Sequence, residues 1–196
     1  MPKALTIIRD EHRTISAILH GMEYLVRKIR AQKKKVDPRV FHAMLYYLDT
    51  FSERAHHPKE DLFLFKALRA RGAGAEALIT ELEKEHAGGE NALRRLTQAL
   101  NRYEEGGDKE FPGFERAVER FVGSYRDHMR KEEELLFPLA LELLTEADWA
   151  AIDRAFEANR DPLAASRDTR NFDKLFERIV ELAPPPIGLG SETPLH

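Results

Sequence analysis

The segment His128-Met129-Arg130-Lys131-Glu132 sets an imidazole and a carboxylate four residues apart. On a helix that spacing stacks both side chains on one face, one turn above the other. The same spacing occurs 72 residues earlier in His56-His57-Pro58-Lys59-Glu60, and superposing the two segments also aligns Lys59 with Lys131, Leu64 with Leu136 and Phe65 with Phe137. Two such pairs on separate helices make a clasp for metal. The chain has no cysteine, which excludes disulfides, thiolate zinc sites, Cys-ligated iron–sulfur clusters and cysteine nucleophiles. Imidazole and carboxylate without thiolate suit iron, manganese or zinc.

Helices must hold these groups, and the apolar residues supply them. Leu5, Ile8, His12, Ile15, Leu19, Met22, Val26 and Ile29 recur at three and four, which predicts an amphipathic helix ending near Gln32. Asp37-Pro38 provides an N-cap and an N1 proline for a second helix reaching about Arg71. Pro58 lies inside it, where a missing N–H predicts a bend beside the site. Gly72-Ala73-Gly74 is a turn, and a third helix follows over about 75–104. A fourth begins near Pro112, and Pro138 is expected to kink its end. Thr145-Glu146-Ala147-Asp148 resembles a capping box for a short helix to about Ala158, and a last helix is expected over about 169–182. The predicted architecture is all-α: an up-down-up-down four-helix bundle over 1–144, a helical extension of two short helices over 145–183 packed on it, and an irregular tail over 184–196.

In an antiparallel bundle, ligands that share a site must lie at one depth. Measured from the end where the first and third helices start, His12, His56, Glu60, His86, Glu90, His128 and Glu132 all fall in a slab roughly 14–22 Å deep, at about 1.5 Å per residue. The halves repeat: Glu11-His12 precedes the first HxxxE segment and Glu85-His86 precedes the second. With Glu60 and Glu132 bridging two ions and the other five residues terminal, about nine of the roughly twelve positions of two octahedral ions are filled. A shared oxo or hydroxo ligand takes two more, leaving about one for an exogenous ligand.

On these residues the chain resembles the hemerythrin-like HHE cation-binding family. The resemblance covers roughly residues 5 to 143 and rests on His12, the His56/Glu60 pair, His86, the His128/Glu132 pair and the Leu-Phe segments after each pair. It implies a non-haem di-iron centre in a four-helix bundle that binds oxygen or a related small ligand. One residue departs from the pattern. Oxygen-carrying members have a second histidine four after that of the third helix, and this chain has Glu90 there. A third carboxylate would stabilise ferric over ferrous iron, so the expectation is an autoxidising sensor, a scavenger of oxygen, peroxide or nitric oxide, or an iron-handling protein.

Several residues admit two readings. His57 with Asp61 is a rival register on the second helix, about 100° around from His56. Gly89 faces inward, either to leave space for a ligand or close helix approach, or as a plain irregularity. Tyr125, on the face of His128, either donates to a bound ligand or is a core tyrosine satisfied elsewhere. The leading functional expectation is a di-iron protein that binds or senses a diatomic ligand or peroxide. The alternatives are a di-iron oxidase or peroxidase, and a metal-storage or structural zinc bundle. Phosphate loops, nucleophile elbows and dinucleotide motifs are absent. A net charge of −3 offers no basic field for nucleic acid. No apolar run approaches about 18 residues and the first residues meet charge early, so a cytoplasmic location is expected.

Overall fold

A computed structural model describes residues 1–32, 36–158, 179–183 and 187. It is an all-α bundle of four long helices: α1 (Lys3–Gln32), α2 (38–69), α3 (Glu76–Gly106) and α4 (111–143), with α5 (Glu146–Ala158) and a helical turn over 179–182 packed on it. The expected last helix lies mostly outside the described residues, as does most of the tail. Asp37 caps α2 as its position predicts, accepting the Arg39 N–H at 2.9 Å. Gly72, at φ 117°, makes the turn after α2 in a conformation that favours glycine.

Neither interior proline ends its helix. Pro58 lies between two π-helical stretches, Leu48–His56 and Glu60–Phe65, and α4 has a third, Glu132–Leu136, just ahead of Pro138. A proline removes one amide donor and crowds the carbonyl four residues back. The wider i→i+5 turn changes which carbonyls are used: the His57 N–H donates to Ser52 and the Phe137 N–H to Glu132. The helix therefore continues through each proline, with a change of winding beside Pro58 and ahead of Pro138, where a bend and a kink were expected.

The apolar core is split in two. One part contains Ile15 to Ile29 of α1, Val40 to Leu48 of α2, Leu93 to Leu100 of α3 and Phe114 to Met129 of α4. The other contains Ala4 to Ile8, Leu64 to Leu68, Ala75 to Leu82 and Leu136 to Ala140, with Ile152 and Phe156 of α5. The HxxxE pairs lie where the two parts meet: His56 and Glu60 fall between Leu48 and Leu64, and Glu132 between Met129 and Leu136, with His128 beside Met129 at the edge of the first part. The layer that breaks the core is the slab anticipated from counting depth along each helix.

Helix α5 closes the end nearer this layer. Its Thr145/Asp148 capping box forms, with the Thr145 N–H donating to Asp148 at 2.8 Å, and Asp148 also takes two bonds from Arg71 at 2.7 and 2.8 Å. Asp153 accepts the free N–H of Ala4 at the start of α1, at 2.8 Å. Truncating a fully buried side chain beside the polar layer should be costly: Leu64→Ala is expected to lose about 2–5 kcal/mol of stability. Denaturant unfolding of the metal-free protein would check this, and a loss below about 1 kcal/mol would contradict the packing described.

Candidate metal centre

The winding of α2 decides what the site contains. Along the π stretches the inward face gathers Ser52, Glu53, His56, His57 and Glu60, all of them buried. Helix α1 adds His12, α3 adds His86, and α4 adds His128 and Glu132. Two groups of donors form within this layer. In one, His12, His56, Glu60 and Glu132 bring a ligand atom each within 4.8 Å of one another; in the other, His57, His86 and His128 do the same.

The two carboxylates connect the groups. Glu132 lies with Oε2 3.2 Å from His12 Nε2, while its Oε1 is 3.4 Å from His128 Nε2 and 3.7 Å from His86 Nε2. Glu60 lies with Oε1 4.0 Å from His12 Nε2, and its Oε2 is 3.5 Å from His56 Nε2 and 3.8 Å from His86 Nε2. The Nε2 atoms of His86 and His128 are 3.0 Å apart.

Behind the imidazoles a ring of carboxylates runs around the bundle. Glu11 of α1 meets His56 Nδ1 of α2 at 2.8 Å, and Asp61 of α2 meets His86 Nδ1 of α3 at 2.8 Å. Glu85 of α3 meets His128 Nδ1 of α4 at 2.9 Å, and Glu133 of α4 meets His12 Nδ1 of α1 at 2.8 Å. Each carboxylate is the chain neighbour of an inward-facing residue, and each orients the histidine of the next helix. A carboxylate that accepts from Nδ1–H leaves Nε2 bare and aimed at the centre, the tautomer a metal ligand requires. The aligned lysines brace this ring, Lys59 donating to Glu11 at 2.6 Å and Lys131 to Glu85 at 2.5 Å.

The electrostatics fit a cation. Both oxygens of Glu60 and of Glu132, Nε2 of His12 and Nδ1 of His57 are buried without a hydrogen-bond partner among the described residues. Leaving such atoms unsatisfied is costly, and metal held between these residues would satisfy the carboxylate oxygens and His12 Nε2. Without one the layer holds protons. Burial pushes Glu60 well above the usual carboxylate range, reinforced by Glu132 beside it. Burial acts the same way on Glu132 but is overcome by His128, His12 and His86, which hold it ionised. Burial lowers His12 and His86, yet Glu132 and Glu133 raise His12 to about 10, and Asp61 and Glu132 raise His86 to about 9. His56 goes the other way, pushed down to about 3 by burial despite Glu11.

Six of the seven residues expected from sequence come together: His12, His56, Glu60, His86, His128 and Glu132. Glu90 does not. It is exposed on α3 and belongs to neither group, because the buried stripe runs from His86 to Gly89 and Leu93, three and then four residues on. The ferric bias expected from a third-helix carboxylate loses its basis. The residues missed are His57 and Glu53 of α2. The two registers considered for that helix are both used: His57 faces the site, and Asp61 orients His86. Gly89 marks a close approach, since a Cβ there would overlap the Glu53 carboxylate. Tyr125 is satisfied within the protein, donating its hydroxyl to Glu53 and lying 3.0 Å from Ser52 Oγ.

A four-helix bundle with two histidine-rich groups joined by buried carboxylates defines a class of metal-binding helical protein. The chain belongs to the hemerythrin family: the model of the hemerythrin HHE cation binding domain matches residues 3–140. No curated protein and no solved structure matches it. Among the described residues, no helix is long and apolar enough to cross a membrane.

Two outcomes are expected of the centre. Because His12 and His86 titrate above neutrality in the metal-free protein, metal must displace their protons. Affinity should therefore rise with pH between about 6 and 8, with protons released on loading at pH 7 from Glu60 as well as from His12 and His86. An indicator titration with anaerobic ferrous iron measures this, and release of none would contradict it. Glu11→Ala and Glu85→Ala, which each free one imidazole, should weaken iron binding by about 10–100-fold in competition with a chromophoric chelator. Equal affinity in the variants would show that the ring does not orient the ligands.

Proposed function

We propose that the chain is a non-haem di-iron protein that binds or senses oxygen or a related small ligand, peroxide or nitric oxide, in the core of the bundle. The observation that carries this reading is the sharing of Glu60 and Glu132, each of which reaches histidines of both groups with unpaired, buried oxygens. Carboxylates so placed suit two ions side by side. The donor set exceeds what a single four-coordinate zinc takes, and nitrogen and oxygen donors in this number suit six-coordinate iron. Bound there, iron supplies reversible electron exchange and a coordination position for a small ligand.

The protein's own residues do the rest. The carboxylate ring holds four imidazoles in one tautomer, and the two apolar cores shield the layer from water on either side. One flank of the layer is open to a ligand. A cavity of about 210 Å³ lies between α3 and α4, bounded by Gly88, Gly89, Phe121, Tyr125 and the three imidazoles of His57, His86 and His128. A water molecule occupies about 30 Å³ in the liquid, so the cavity has room for a diatomic ligand or peroxide together with solvent.

Metal analysis of protein purified without oxygen, followed by visible spectra on adding oxygen, peroxide or nitric oxide, tests the reading. Two irons per chain with new charge-transfer bands are expected. One tightly held zinc per chain and no spectral response would overturn it. Sustained turnover of peroxide would move the assignment from sensor to enzyme.

A further inference from the structure

We infer that His57 of α2 completes the imidazole set of the second metal position, and that Glu53, seated over Gly89, is the residue that positions it. This rests on the di-metal reading above and assigns its ligands. Helix α3 has only one imidazole to give. One turn beyond His86 its inward position is Gly89, which has no side chain, and Glu90 is exposed. Any further imidazole facing His86 has to come from another helix.

Helix α2 supplies it by an unusual route. Adjacent residues of a regular α-helix diverge by about 100°, so His56 and His57 should not both face the bundle axis. The π stretches on either side of them widen the turn, and both imidazoles are buried, at 1% and 5% exposure. They are then divided between the two groups. His56 faces His12, with ring centroids 5.0 Å apart, whereas His57 stacks on His86 at 4.1 Å and joins His86 and His128.

The seat of His57 is built from three helices. Glu53 lies one turn before it, with Oε2 3.4 Å from His57 Nδ1, and accepts the Tyr125 hydroxyl of α4. The carboxylate occupies the space that a Cβ on residue 89 of α3 would take. The glycine and the absent second histidine of α3 thus have one explanation: the volume they leave is filled by a carboxylate and an imidazole from α2.

The test is the iron content and visible spectrum of the full chain, loaded anaerobically with ferrous iron and then cleared of weakly held metal with a mild chelator. Wild type should hold two irons per chain. His57→Ala should hold about one, with an altered spectrum, whereas Glu90→Ala should hold two. Glu53→Ala should lose the second iron and Glu53→Gln, which keeps the shape and an acceptor, should recover at least part of it. Gly89→Ala should behave like Glu53→Ala. Circular dichroism of each metal-free variant identifies any that fails to fold, in which case the Glu53 pair decides. Two irons and a wild-type spectrum in His57→Ala would overturn the assignment, as would loss of an iron in Glu90→Ala. A wild type that holds a single metal would overturn the di-metal reading itself, and the assignment with it.

Discussion

Glu60 and Glu132 bring two carboxylates into the middle of an apolar bundle with none of their four oxygens hydrogen-bonded among the described residues. Burying such groups is expensive unless charge of opposite sign or strong donors meet them. The surroundings answer this demand within one thin layer. Five imidazoles line the pair, and a proton on Glu60 and positive charge on His12 and His86 compensate the layer when no metal is bound. A cation of higher charge would meet the same demand. The division of the core into two apolar parts, and the depth at which each helix turns polar, follow from the need to collect these groups at one level.

The carboxylate ring makes that layer a property of the whole bundle. Each helix orients a histidine on the next, so no ligand is set by its own helix alone. The arrangement has the two-fold repeat of the sequence: Glu11, His56 and Lys59 in one half correspond to Glu85, His128 and Lys131 in the other. The halves differ where α2 and α4 differ. Helix α2 has π winding on both sides of Pro58, and α4 has it only after Lys131. The longer π stretch ahead of His56 is what gives the first half an extra inward imidazole and carboxylate. The cavity opens on that added imidazole, so it lies on the flank where the two halves of the repeat differ.

Part of this arrangement was legible from residue spacing. His and Glu four apart share a face on any regular helix, so the two HxxxE pairs, His12 and His86 could be placed together from periodicity and depth. The Glu11-His12 and Glu85-His86 dipeptides were visible as a repeat, but their carboxylates serve a histidine on a different helix, and local spacing carries no information about that partner. Glu90 was misplaced for a related reason. Positions three and four beyond His86 both lie near the inward face, and packing against Glu53 of α2 selects Gly89.

The sequence by itself determined the helices, their caps, the depth of the polar layer and six of the residues in it, because each follows from interactions within one helix or from burial of one face. Only the tertiary structure decided that His57 and Glu53 turn inward, that Glu90 turns out, and which carboxylate orients which imidazole. Those outcomes depend on π winding around a proline and on which helix fills the space left by a glycine. Both are settled by contacts between helices, where a change of one residue per turn rotates every later side chain to a different neighbour.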